Sequence, residues 1–286
     1  MPRGLEHIVH AVRDLEAAAE LYERLGFSVG ARNRHPWGTH NRIVQFPGFF
    51  VELLTVAEPE KLGDDGLSVL FGAYNRDFLD RREGLSVMVV ESTDVQADET
   101  EFLAAGILAL PTITFEREGR RPDGTAVKVA FSLIFAQNKA APDIRFAACR
   151  QHYPENFWSP AFQSHANGAV GLAGVVAVAE RPEHQMHFWT AFTGGSPALT
   201  DYGFAIATPR GRIEVLTPSG FLQQFGTTPP DARRGARLAA IQFHVNELER
   251  LRAVFNQARI HVTHAENRAV IASDNAMGAV LIFANQ

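Results

Sequence analysis

The chain has 286 residues, 46% of them hydrophobic and 21% charged, and its 27 basic and 32 acidic side chains give a net charge of −5. Basic residues occur only in short clusters such as "RRPDG" and "RRGAR", which speaks against nucleic acid as a partner, and apolar runs such as "VKVAFSLIFA" reach about half the length of a membrane span. A single cysteine, Cys149, leaves no intramolecular disulfide framework, and with no charged-then-apolar leader at the start the expected location is the cytoplasm.

In chain order, the first element is a Val/Ile-rich strand in "GLEHIVHAVRDLEAAAELYERLGF", followed by a helix that starts at Asp14. Leu15, Ala18, Ala19, Leu21, Tyr22 and Leu25 recur on one face of that helix, and Gly26 suits its left-handed cap. Strands at "NRIVQF" and "FFVELLTV" close the unit. The same grammar returns three times. "GLSVMVVESTDVQADETEFLAAGI" is followed by "VKVAFSLIF" and "IRFAACRQH"; "GLAGVVAVAERPEHQMHFWTAFTG" by "YGFAIATP" and "GRIEVLTP"; and "RLAAIQFHVNELERLRAVFNQARI", with Asn246 at the helix start, by "AVIASD" and "AVLIFAN".

Each copy is a strand, a helix and up to three further strands. A unit of this kind has one sheet face to bury and cannot bury it alone, so four copies predict two pairs. Two domains of ordinary size suit the length, at residues 1–153 and 154–286, with the boundary in "QHYPENFWSPAFQSHANGA". The aromatic residues of that segment predict an ordered, packed connection rather than a loose linker.

This pattern resembles the vicinal oxygen chelate superfamily (glyoxalase, bleomycin resistance and extradiol dioxygenase proteins). More narrowly, "LEHIVHAVRDLEAAAELYERLGF", "RHPWGTHNRIVQF", "FFVELLTV" and "QHYPENFWSPAFQSHANGA" resemble glyoxalase-like domain proteins. The resemblance implies an α+β fold of four βαβββ modules paired into two curved-sheet cups. It also implies metal ligands on the first and last strands of a module, which places His7 and Glu52 in those positions. The gap-free repeat alignment puts Val87, Gly174 and Ala240 at the place of His7, so the second pair, which keeps Glu214 but no histidine, reads as free of metal.

A third ligand for the first cup is sought in "CRQHYPE", where His152 and Glu155 lie close together. Strand parity sets Ala147, Cys149 and Gln151 toward the cup and His152 away from it unless a bulge re-aims it. Glu155 and His35 are the candidates for moving a proton. Thr39 and Asn41 in "RHPWGTHN", with Trp158 and His165, are candidates for contacting a ligand. Each has a structural alternative: a hydrogen-bonded turn, an inter-domain clasp, or for Glu52 an ion pair with a residue such as Arg42. His10, at an odd offset from His7, and the buried thiol of Cys149 read as packing; His184 and His187 in "HQMH" read as surface.

Two functions from different classes fit. One is a metal-dependent lyase, isomerase or ring-cleaving dioxygenase in which a divalent ion (Zn, Mn, Fe or Ni) on His7, Glu52 and His152 chelates a small oxygenated substrate. The other is a binding protein of the same fold that holds a small molecule without turnover. A small-molecule ligand is common to both, and both leave room for a homodimer.

Overall fold

The computed structural model describes residues 1–64, 66–120, 124–265 and 267–286. Among the described residues are sixteen strands in two sheets of eight. The first sheet uses β1 (Leu5–Ala11), β2 (Asn33–Arg34), β3 (Thr39–Phe46), β4 (Phe49–Val56), β5 (Gly84–Glu91), β6 (Leu108–Arg120), β7 (Ala126–Ala136) and β8 (Arg145–Gln151). The second uses β9 (Ala169–Val178), β10 (Pro197–Thr200), β11 (Gly203–Ala207), β12 (Arg212–Leu216), β13 (Arg237–Val245), β14 (Thr263–Ala265), β15 (Arg268–Ile271) and β16 (Val280–Asn285). Their orders are β2-β3-β4-β1-β5-β8-β7-β6 and β10-β11-β12-β9-β13-β16-β15-β14, so each sheet is two βαβββ modules joined along their first strands.

Helices α1 (Leu15–Arg24), α2 (Tyr74–Arg81), α3 (Val95–Ala104), α4 (Met186–Thr193), α5 (Pro218–Phe225) and α6 (Leu248–Gln257) complete the chain. Asp14 accepts from the Glu16 and Ala17 amides and Asp94 from those of Gln96 and Ala97, satisfying amides that would otherwise lack partners at the starts of α1 and α3. Gly26 follows α1 at φ +83°, where a side chain would be strained. In the fourth module the cap position falls on Glu247 rather than Asn246, and its side chain makes no capping bond.

Pairing registers place the repeats in step. Val9 pairs with Glu52, Val89 with Ala147, Val176 with Glu214 and Gln242 with Ile282. Two residues earlier on each first strand stand His7, Val87, Gly174 and Ala240.

The outward-curving faces of both sheets bury Ile8, Val12, Phe146, Val175 and Phe243, with α1, α3, α4 and α6, in a single hydrophobic core. The connection after β8 is packed into it: Asn167 donates to the Leu25 carbonyl, and His165 lies against Phe27 and Phe46. His10 lies beneath α1, bonded to the Tyr22 hydroxyl and the Met277 carbonyl.

The two concave faces differ in what fills them. Helix α5, capped by Thr217, sets Phe221 and Phe225 against Val176, Val178, Ala240, Val280 and Ile282, so the second cup is occupied by the chain itself. Over the first cup, a π-helical turn at Ser68–Ala73 runs into α2 and contributes Leu70 and Phe71 to the apolar face, joined by Leu67 just before it. That lining leaves a cavity. Of the basic clusters, "RRPDG" lies mostly outside the described residues, whereas "RRGAR" forms a loop running into β13, with Arg233 paired to Asp231. No helix among the described residues is long and apolar enough to cross a membrane.

Candidate functional site

The cavity in the first cup has a volume of about 80 Å³, and its walls are mainly apolar. Trp37, Phe50, Phe71, Phe115, Phe131 and Phe157 surround it, and polar atoms come from His7, His35, Asn41, Glu52 and Arg117. Such a concave apolar site with a few converging polar groups is the usual form of a small-molecule site.

A bulge in β1 assembles its polar floor. Between Leu5 and His7 the pairing with β5 advances by one residue on β5 for two on β1, so Glu6 is the extra residue. Strict alternation would send Glu6 and His7 to opposite faces; instead the Glu6 carboxylate pairs with His7 Nδ1 and also accepts a hydrogen bond from Gln151. His7 Nε2 is thereby aimed at Glu52, whose Oε2 lies 3.9 Å away. The imidazole is stacked on Phe50, with ring centroids 4.4 Å apart and planes 16° from parallel. Glu52 Oε1 accepts from Asn41 Nδ2 at 2.5 Å.

All three ionisable groups are buried. Burial by itself lowers the His7 pKa, but the charge and hydrogen bond of Glu6, with a smaller contribution from Glu52, raise it above the ordinary histidine value. Burial also pushes the Glu52 carboxyl up, against the opposing pull of His7 and Asn41. The pair is therefore a histidine favoured as its cation beside a carboxylate that holds a proton more readily than usual.

His35 also lines the cavity, stacked on Trp37, with Nδ1 2.8 Å from the Thr39 hydroxyl. Burial, with the nearby charges of Arg117 and His40, lowers its pKa to about 3, so it is a neutral ring. Thr39 is fully buried behind it. Cys149 lies in the cavity wall, and burial raises its thiol pKa, keeping it protonated and a poor nucleophile.

Of the site residues expected from sequence, His7, His35, Asn41 and Glu52 line the cavity and Thr39 lies behind His35; the rest lie elsewhere. His152, the residue after β8, is exposed and bonds to the Ser132 hydroxyl at 2.8 Å, because β8 keeps its alternation to its end with no bulge to turn His152 inward. Glu155 is exposed on a short turn at Pro154–Asn156. Trp158 packs edge-on against Phe50 and Phe157 but does not line the cavity, and it is Phe157 that does. His165 is a clasp, accepting the Ser28 amide and donating to the Gln45 carbonyl. Arg42 pairs with Glu16, not with Glu52.

Glu6, Arg117 and most of the aromatic wall were not anticipated, whereas Gln151 was expected to face the cup and does donate to Glu6. The readable signal for Arg117 was the alternation Ile113, Phe115, Arg117, which sets all three on one face of β6.

A model of the glyoxalase-like domain matches residues 5–193. The chain belongs to that family. The glyoxalase-like protein is similar in fold to a hypothetical protein from Staphylococcus aureus, at 11% identity and a TM-score of 0.69 over 99% of this chain and all of that one. A mutant 4-hydroxymandelate synthase from Streptomyces coelicolor is similar over 100% of this chain and 93% of that one, at 12% identity and a TM-score of 0.59. The Mn(II)-bound glyoxalase from Novosphingobium aromaticivorans is similar over 100% of this chain and 83% of that one, at 11% identity and a TM-score of 0.57. At 11–12% identity these likenesses show a shared fold. A search of curated proteins returned no match.

A divalent metal, as in the manganese-bound relative, would need more than His7 Nε2 and Glu52 Oε2. The places corresponding to His7 and Glu52 in the second module are Val87 and Ala147, both buried and both in the cavity wall. Among the described residues no three His, Cys, Asp or Glu side chains converge to hold an ion. The residues present do not fit a protein-held metal centre.

Proposed function

We propose that the glyoxalase-like protein takes a small oxygenated molecule with an apolar body into the cup of the first sheet and moves a proton on it, as an isomerase or lyase does, through His7 and Glu52. The observation that carries this reading is the line Glu6–His7–Glu52 at the floor of an otherwise apolar cavity. Burying three ionisable groups is costly, and a site that merely held apolar molecules would have no use for them.

The roles follow from the protonation each residue favours. His7, fixed by Glu6 and favoured as imidazolium, donates a hydrogen bond to a carbonyl oxygen of the ligand. Glu52, with its carboxyl pKa raised by burial, accepts a proton from the adjacent carbon. The C–H bonding pair then moves into a C=C bond as the carbonyl π pair moves to oxygen, where His7 stabilises the charge. Returning the proton from Glu52 to a different carbon would isomerise the molecule, whereas loss of a group next to the enolate would make the step an elimination. Asn41 holds Glu52 in place through its carboxamide.

A second reading is binding without turnover, and the apolar Val87, Val89 and Ala147 across from His7 and Glu52 favour it. Proton NMR in D2O separates the two. Small aryl ketones, aldehydes and α-keto acids with acidic C–H bonds are incubated with wild type, His7→Asn and Glu52→Gln. Exchange into at least one probe that both variants lose supports proton transfer; saturable binding with no exchange in any probe supports the second reading.

A further inference from the structure

We propose that Arg117 selects an anion, so that the molecule this cup accepts joins a flat apolar body to a carboxylate; the inference rests on reading the cup as a small-molecule site. Arg117 is half-buried on β6, on the same face as Ile113 and Phe115. Its strand partner is Val129, one step along the wall from the paired Phe115 and Phe131, whose rings stack with centroids 5.2 Å apart.

Among the described residues the guanidinium is largely uncommitted. It donates to the Glu118 carbonyl at 3.2 Å, and among the described residues no carboxylate lies within 4 Å of it. The neighbouring carboxylates point away, because strand alternation turns Glu116 and Glu118 to the other face, and Glu116 is taken by Lys128. Glu52 attracts Arg117 at longer range, but its oxygens are already engaged by Asn41 and faced by His7.

A guanidinium offers five N–H donors in a planar fork that matches a carboxylate. Set in an aromatic wall with most of those donors free, it gains more from an anion than from a neutral carbonyl. The aromatic rings lining the cavity accommodate a flat body, and the floor of His7 and Glu52 receives a second oxygen. These features together describe an aryl or arylalkyl carboxylic acid with a further oxygen function.

Calorimetric titration of the full chain with benzoate, 3-phenylpropanoate and 2-naphthoate, each beside its primary amide, tests this. For wild type, at least one acid should bind about tenfold or more tightly than its amide, a gap of about 1.4 kcal/mol. The gap should close in Arg117→Gln and persist in part in Arg117→Lys, which also guards against a folding defect in the neutral variant. Amides that bind as tightly as the acids, or an acid preference that survives Arg117→Gln, would overturn the role of Arg117 while leaving the cup a ligand site. If neither class binds, both the role of Arg117 and the small-molecule reading fail.

Discussion

His7 Nε2 and Glu52 Oε2 face each other at 3.9 Å across the parallel pairing of β1 and β4, while Glu6 holds the opposite nitrogen of the His7 ring. Two structural features make this arrangement. The bulge at Glu6 lets adjacent residues cooperate from one face, and β4 offers Glu52 beside Asn41 on β3. The result is a buried ionisable pair inside an aromatic cavity, and among the described residues no group of three His, Cys, Asp or Glu side chains is placed to hold an ion.

Protein purified without a chelator or a metal-affinity tag should carry no stoichiometric Zn, Mn, Fe or Ni by elemental analysis. Val87→His restores a histidine at the place that matches His7 in the second module, and it should raise zinc affinity by about tenfold or more in calorimetric titration. Stoichiometric metal in wild type that disappears in His7→Ala and Glu52→Ala would contradict the proton-transfer reading.

His35 ties stability to acid. Its pKa is about 3 when folded against 6.5 for an ordinary histidine, so below 6.5 the unfolded chain binds a proton that the folded chain refuses. The stability this burial permits is complete above pH 6.5 and is lost as pH falls toward 3. The melting temperature of wild type should therefore drop more between about pH 7 and pH 4 than that of His35→Gln. Parallel curves for the two proteins would show that His35 titrates normally.

His165 serves architecture rather than ligand contact. Its removal strands the Ser28 amide and the Gln45 carbonyl and leaves space beside Phe27 and Phe46. His165→Ala should cost about 2–4 kcal/mol in urea unfolding, from unpaired polar groups and lost packing. Affinity for arenes in the cup should be unchanged, and a loss of binding out of proportion to the loss of stability would return His165 to the site.

Much of the fold was legible because its signals are local and repeated. The capping residues Asp14 and Asp94, the glycine after α1 and the alternating strands recur at a fixed offset, and the pairing registers keep that offset in space. His7 and Glu52 were singled out by what the family resemblance implies for the first and last strands of a module, and Asn41 and His35 as polar residues of one turn-rich stretch; all four line the cavity. What escaped depends on departures from regularity or on distant pairing. Glu6 reaches the site only through a bulge, and Arg117 comes from the far edge strand, which the repeat pattern did not delimit. The occupation of the second cup by α5 was hidden too, since an apolar helix after a strand does not announce which face it will cover.

The titration of His7 tests the central claim most directly. Two-dimensional NMR of imidazole-labelled protein should show His7 titrating above 6.5 in wild type, because Glu6 and Glu52 together outweigh the cost of burying its charge. The favourable interactions then stabilise the fold fully below pH 6.5 and are lost as pH rises through the folded value. Glu6→Gln should lower the His7 value most and Glu52→Gln should lower it less, following the order of their contributions. A His7 that titrates at or below 6.5 in wild type, or that ignores both substitutions, would contradict the proposal that Glu6, His7 and Glu52 act as one proton-handling unit.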